Sequence, residues 1–310
     1  MSRLPALATL LAVAGVVVAL PFLLSDYNIS LAAQVGIFFI AVLGLNILTG
    51  YAGQISIGHG AFMAIGGYTT AVMSRDHHTN LVVTMLMAFV ICFLLGLILG
   101  LPALRLSGVY LALLTFALAV SIPILPLQYT TFLGGTGGVQ SSTTVSNTWV
   151  YGAAWAASAV LFVLAWLILR GRVGRAFRAV RDSEIAAVAS GIELPVYKTL
   201  AFGISAAYAG VAGSLFVLAA NGFAAPSEFT VELSLLLLVG AAIAGLGSLW
   251  GILVGAAFVG LLPQVSSSVP VIGTGHGRDV VFGAAVILVM LLLPDGFAGL
   301  LARLRRLARA

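Results

Sequence analysis

The chain has 310 residues, of which 61% are hydrophobic and 7% charged, with a mean hydropathy of +1.17. Soluble domains carry about 25% charged residues, so the charges here cannot cover a water-facing surface, and a soluble enzyme is excluded. A spanning helix takes about 20 apolar residues, which leaves material for roughly eight to ten spans in one membrane-embedded domain covering residues 1–310.

The predicted fold class is all-α: a polytopic integral membrane protein with about 10 transmembrane helices. Candidate spans fall near residues 6–24, 31–48, 60–74, 81–100, 102–125, 149–169, 199–220, 231–246, 250–265 and 280–293. The first follows Arg3 but is longer than a signal-peptide core and lacks a small-x-small cleavage site, so it reads as a span. Threading ten spans from a cytoplasmic N-terminus puts Arg3, Arg105, Arg170, Arg172, Arg175, Arg178, Arg181, Lys198, Arg303, Arg305, Arg306 and Arg309 inside. Only Arg75 and Arg278 fall outside. That asymmetry is the positive-inside pattern, and the basic tail 302–310 is cytoplasmic with it. The formal charge of +5 therefore encodes orientation rather than nucleic-acid binding. No carboxylate falls at mid-membrane, which disfavours a proton-coupled mechanism.

Along the chain, the first unusual stretch is Asn46 to Tyr68, NILTGYAGQISIGHGAFMAIGGY. Glycine mixed with polar groups inside an apolar run reads as a broken or re-entrant segment. Backbone released from helix geometry at this depth needs protein or water partners. Asn46, Gln54, Ser56, Gly58 and His59 then either line a wet, buried path or form a cytoplasmic turn between spans. His59 by itself reads as a structural histidine. Asp76, His77 and His78 read as a solvated external loop rather than a metal site. Cys92 is the sole cysteine; no intrachain disulfide can form, and it reads as a small buried hydrophobe.

The external stretch 127–148 holds Gly134, Gly135, Thr136, Gly137 and Gly138 among many Ser and Thr. It is expected to be flexible, and suits a gate or a contact with a soluble partner. The long charged stretch is Gly171 to Lys198. In it Asp182 is read as an N-cap and Gly191 as a left-handed C-terminal residue. The short helix between them, smooth at Ala186, Ala187 and Ala189, needs a partner to hold it. Arg172, Arg175, Arg178 and Arg181 recur every third residue; topology marking, anionic lipid and ion pairing are all open to them. A second glycine-rich run, Ala244 to Pro263, stands at a comparable place in the second half and points to an inverted repeat.

The run 46–68, the external GGTGG, the loop GRVGRAFRAVRDSEIAAVASGI and the ending LLLPDGFAGLL together resemble the permease subunits of ABC importers for branched-chain amino acids, the LivM-like branch. The resemblance covers residues 31–301. It implies a sister permease subunit, two cytoplasmic ATPase subunits, a periplasmic or lipid-anchored substrate-binding protein, and a bacterial or archaeal plasma membrane. ATP and Mg would sit on the partners, with no cofactor or metal on this chain. The chain's lysine content agrees: the sole lysine, Lys198, follows Tyr197, so no G-x-x-x-x-G-K-[ST] loop exists.

Importers of this class carry an E-A-A-x-x-x-G element that forms a coupling helix on the ATPase. Ala186, Ala187 and Gly191 match it; Glu184 stands one position upstream, with Ile185 interposed. The resemblance implies alternating access driven through that loop, with leucine, isoleucine and valine as substrates, while other relatives carry urea or short amides. The rival class is an ion-coupled secondary transporter, which does not require the loop at 171–198. An intramembrane enzyme is unsupported, since neither H-E-x-x-H nor G-x-S-x-G occurs.

Overall fold

Residues 26–51 contain no proline and one charge, and they form helix α1 (Asp26–Leu45), which passes without a stop into a π-helical segment, Asn46–Tyr51. Asp26 lies in its first turn, where a carboxylate is favourable to the helix dipole. The computed structural model describes residues 25–268 apart from 78 and 107, together with isolated positions 283, 284, 287, 291, 296, 297 and 299. The expected first span, 6–24, and the basic tail lie outside the described residues. So does the expected last span, 280–293, apart from isolated positions.

After a non-helical link, α2 runs His59–His77. Asn80 caps α3 (Leu81–Ala103) by accepting from the Val82 N–H, and α4 (Val109–Ser121) continues through a proline-containing turn to Gln128. Ser146 caps α5 (Asn147–Arg170) through the Trp149 N–H. Then follow α6 (Arg172–Asp182), α7 (Glu184–Ala189), α8 (Leu194–Ala219), α9 (Val231–Ala244) and α10 (Ile252–Ser268). The chain is all-α in class and multi-pass in design. Among the described residues, six helical stretches are long and apolar enough to cross a membrane: 26–51, 81–103, 109–128, 147–170, 194–219 and 226–244.

Helix α2 is not among those six, and its surroundings say why. Almost all of it is buried within the protein, so it need not be apolar toward lipid and carries Gly60, Gly66, Gly67, Thr70 and Ser74 instead. In the stretch 194–219 the apolar window is 89% buried, whereas in 109–128 it is 22% buried. The molecule thus has an inner layer of α1, α2 and α8, and an outer layer of α3, α4 and α5 that presents Leu86, Leu94, Ile98, Leu113, Val160 and Leu167 outward.

Without a strong hydrophobic force between helices in lipid, close approach at small residues holds such layers together. A Cβ at Gly66 would lie 2.0 Å from the Gly210 carbonyl oxygen, and one at Gly213 would lie 1.9 Å from the Met63 carbonyl oxygen. The α2–α8 contact is therefore backbone on backbone. Ser205 and Thr70 add hydroxyl contacts, to the Gly44 carbonyl (2.7 Å) and to Ser214 (2.6 Å).

The ends of the bundle differ. At one end meet the break after α1, the loop α6–α7, Lys198 and the start of α10. At the other, Arg75 pairs with Asp76 (2.6 Å) and donates to the Phe132 carbonyl, and Ser74 bonds with Ser141. That second end holds a short antiparallel pair, β1 (Val139–Gln140) with β2 (Phe223–Ala224), in register Val139 to Ala224.

The pairing corrects the expectation of a flexible glycine loop. Gly134, Gly135 and Gly138 all have positive φ, and a Cβ at Gly138 would lie 2.4 Å from the Ala224 carbonyl oxygen. These glycines fold the segment tightly onto β2. Thr136 and Gly137 at the tip remain exposed.

Candidate functional site

The candidate site is built where α5 ends. A Cβ at Gly174 would lie 2.1 Å from the Leu169 carbonyl oxygen, so glycine allows the sharp corner into α6. That helix buries Ala176, Phe177 and Val180 on one side, with the Phe177 ring edge-on to Tyr197 at 6.4 Å. Arg172 and Arg175 stay exposed, while Arg178 reaches the Leu169 carbonyl (3.4 Å). Among the described arginines of α6, the three-residue spacing thus splits between solvent and protein.

Asp182 is not the N-cap of α7; it is the last residue of α6. Its Oδ1 accepts from Arg181 Nε at 3.1 Å, which leaves the cap to Ser183, whose Oγ accepts from the Ala186 N–H at 3.3 Å. The other end of α7 is as read: Gly191 has φ +79. Its N–H donates to Val188, and the Ile192 N–H donates to Ala187, at 2.9 and 3.0 Å. This paired arrangement closes the last turn of a helix.

Ala187 is 2% exposed and faces the chain itself, a second correction, since it is an anchor and not part of the outer surface. The outward face is formed by Ile185 and Val188, 86% and 55% exposed, flanked by Ala186 and Ala189. Sequence pattern drew attention to the alanines; the two larger apolar residues between them carry the exposed face.

Glu184 binds Lys198 at 2.6 Å, the lysine side chain being 6% exposed and the glutamate 47%. This ion pair staples the start of α7 to the first turns of α8. Beside it a shallow pocket is lined by Gly53, Gln54, Leu106, Gly108, Leu111 and the Glu184–Lys198 pair. Gln54 Nε2 donates to the Lys198 carbonyl at 3.5 Å.

The other candidate residues of the break are buried and have protein partners. Asn46 Oδ1 accepts from the Gly247 N–H (2.9 Å) and its Nδ2 donates to the Ser248 carbonyl (2.7 Å). The Gly58 N–H donates to Ser56 Oγ (3.3 Å), and a Cβ at Gly58 would lie 2.8 Å from the Thr115 carbonyl oxygen. His59 Nε2 meets Ser205 Oγ at 3.0 Å, a structural contact; its Nδ1, like Gln54 Oε1, has no partner. The break is thus bridged to the second glycine-rich run. Among the described residues no group of three or more His, Cys, Asp and Glu could hold a metal ion.

An apolar bundle thus has two glycine-rich connections meeting at one end, beneath a loop with a short capped helix. Residues 27–293 match the model of the branched-chain amino acid transport system permease component. The chain belongs to that family. This permease is 30% identical to the "High-affinity branched-chain amino acid transport system permease protein LivM" of Salmonella typhimurium, over 93% of this chain and 73% of that protein. The LivM protein of Escherichia coli gives the same figures. The permease is also 27% identical to LivH of Salmonella typhimurium, over 84% of this chain and 91% of LivH. No solved structure matches.

Proposed function

We propose that this permease is the membrane subunit of an ATP-driven importer of branched-chain amino acids, in the plasma membrane of its cell, and that α7 receives the motor. The observation that carries the reading is the exposure of Ile185 and Val188 on a helix held from behind by Ala187, Ser183 and the Glu184–Lys198 pair. A single turn and a half of helix is marginal alone. Here caps and an ion pair hold it, while its apolar face is offered outward. That is the form of a docking element.

The substrate follows the names carried by relatives, two of which are LivM proteins. The similarity to LivH as well as LivM supports pairing with a sister permease. The ATPase pair and a substrate-binding protein complete the complex. ATP and Mg belong to the ATPase subunits, so this chain is a gate and not a catalyst. Its loop end, with Arg105, Arg170 to Arg181 and Lys198, faces the cytoplasm, and the end with β1 and β2 faces the binding protein. A ligand-driven shift between the two states need only be small, because the ATP cycle biases the equilibrium.

The test uses the full complex in vesicles. Ile185→Asp and Val188→Asp are expected to release the ATPase subunits while the permease still inserts. Leucine uptake is expected to require ATP inside the compartment that the loop faces. Retained ATPase binding in both variants removes α7 as the dock, and uptake that follows an ion gradient without ATPase subunits overturns the importer reading.

A further inference from the structure

Arg181 stands where the loop 171–198 touches both glycine-rich connections. Its Nη1 donates to the Gly50 carbonyl at 2.8 Å, within the π-helical segment. Its Cγ packs so closely on Gly53, at φ +71, that a Cβ there would lie 2.7 Å away. On its far side, a Cβ at Gly247 would lie 2.9 Å from Nη1. The Gly247 N–H is in turn held by Asn46 Oδ1. Loop, first break and second break therefore meet around one guanidinium.

We propose that Arg181 is the positioning residue that carries movement of the docking helix α7 into the two glycine-rich connections that follow α1 and α9, and that the Arg181–Gly50 bond with the Asn46–Gly247 clasp closes the gate at this end. The inference rests on α7 being the dock. Asp182 and Ser183 alone separate Arg181 from α7, and Asp182 is still helical, so a shift of α7 reaches Arg181 with little slack. Helix α6 is seated by Phe177 and Val180, which gives the arginine a firm base on the other side.

The chemistry of the side chain fits the task. A guanidinium presents several donors in a fixed fork, and here one nitrogen serves Gly50 while Nε and Nη2 hold Asp182. A charge-assisted bond to a carbonyl is stronger than a neutral one, yet the side chain is 38% exposed, so water can replace the contact when the loop moves. A gate needs a bond that is both directional and breakable. The glycines at 50, 53 and 247 leave the room for it, and the positive φ of Gly53 and Gly247 gives the backbone turns that bring them within reach.

The experiment reconstitutes the whole importer, permease pair, ATPase subunits and binding protein, and measures ATP hydrolysed per leucine imported. Arg181→Ala is expected to raise that ratio about tenfold or more, with the bound ATPase unchanged, and Arg181→Lys, which keeps the charge without the fork, is expected to recover part of the loss. Asn46→Ala should move the ratio in the same direction. An unchanged ratio in Arg181→Ala overturns the proposal, and so does loss of the ATPase subunits, which would make Arg181 part of the dock. If Arg181→Ala fails to accumulate in the membrane, Arg181→Gln is measured in its place and judged by the same two results. A wild-type complex that imports no leucine, or an Ile185→Asp complex that keeps its ATPase, strikes the underlying functional reading instead.

Discussion

Asn46 and Gly247 lie 201 residues apart in the chain and 2.9 Å apart in space, the asparagine Oδ1 accepting from the glycine N–H. The same amide donates 2.7 Å to the Ser248 carbonyl, so one side chain satisfies a donor and an acceptor of a backbone that has left helix geometry. Buried groups of this kind are costly when unpaired. Asparagine fits because its amide offers an acceptor and a donor side by side. Glycine at 50 completes the fit, since a Cβ there would lie 2.1 Å from Asn46 Oδ1 and 2.3 Å from the Gly247 nitrogen.

Removing the amide in Asn46→Ala should cost about 1–3 kcal/mol through the unpaired backbone groups. Gly50→Ala should destabilise as well, by crowding the same bond. The readout is built in. Cys92 is fully buried and is the sole cysteine, so its reaction with a maleimide during heating reports opening of the bundle. An Asn46→Ala protein whose labelling midpoint equals that of wild type shows that the clasp contributes no stability.

The sequence makes the outer helices easy to find, and the inner α1 and α8 with them, but leaves the inner α2 short, for a physical reason. Helices α3, α4 and α5 face outward with Leu, Val and Ile and so obey the composition that lipid imposes. Helix α2 answers to α8 instead, and its Gly66 and Thr70 gave it the look of a short, doubtful span. The left-handed Gly191 was legible because local backbone alone requires it. At the start of α7, Asp182 and Ser183 both suit the cap by residue type, and Ser183 takes it because Arg181 occupies the Asp182 carboxylate. β1 with β2 joins distant parts of the chain, and Glu184 meets Lys198 only through the turn between α7 and α8, so no local pattern announces either. The GGTGG run looked mobile because glycine permits many conformations, whereas here the partners select one.

The α2–α8 crossing gives a sharper test of packing. Gly213→Ala forces a methyl into the Met63 carbonyl, 1.9 Å from where Cβ would stand, and Gly66→Ala does the same against Gly210. Overpacking of this kind typically costs about 1–3 kcal/mol, and more where only backbone is available to move. Gly152 in α5 has nothing within 4 Å of a built Cβ; there Ala should be neutral or stabilise by about 0.5–1 kcal/mol through backbone entropy. The yield of folded monodisperse protein in detergent separates the two classes. Equal yields for Gly213→Ala and Gly152→Ala would mean that the helices are not in backbone contact.

The Glu184–Lys198 pair is asymmetric, with the lysine 6% and the glutamate 47% exposed. Loss of the glutamate leaves a buried ammonium without its counter-charge; loss of the lysine leaves a carboxylate that water can reach. Glu184→Gln should therefore destabilise the loop more than Lys198→Met. Breaking a fully buried pair costs about 3–5 kcal/mol, and solvent at Glu184 brings the expectation below that range. In the double variant the penalty should largely vanish. A protease that cuts near α7 measures it: cleavage should speed up in Glu184→Gln and return toward the wild-type rate in Glu184→Gln with Lys198→Met.

At the opposite end, the tip and the base of the glycine turn should respond differently to the same change. Gly138 has φ +67 and a built Cβ 2.4 Å from the Ala224 carbonyl oxygen, so Gly138→Ala meets both backbone strain and a clash, of order 1–3 kcal/mol. The displaced strand then loses the bonds that Ser141 and Gln140 make to Gly222 and Asn221, each 2.8 Å. Thr136 is exposed, and Thr136→Ala touches none of this. Leucine uptake driven by the binding protein should fall severalfold in Gly138→Ala and stay unchanged in Thr136→Ala if the turn serves by its shape. A loss confined to Thr136→Ala would instead locate the contact in the tip itself, with β1 and β2 only a support for it.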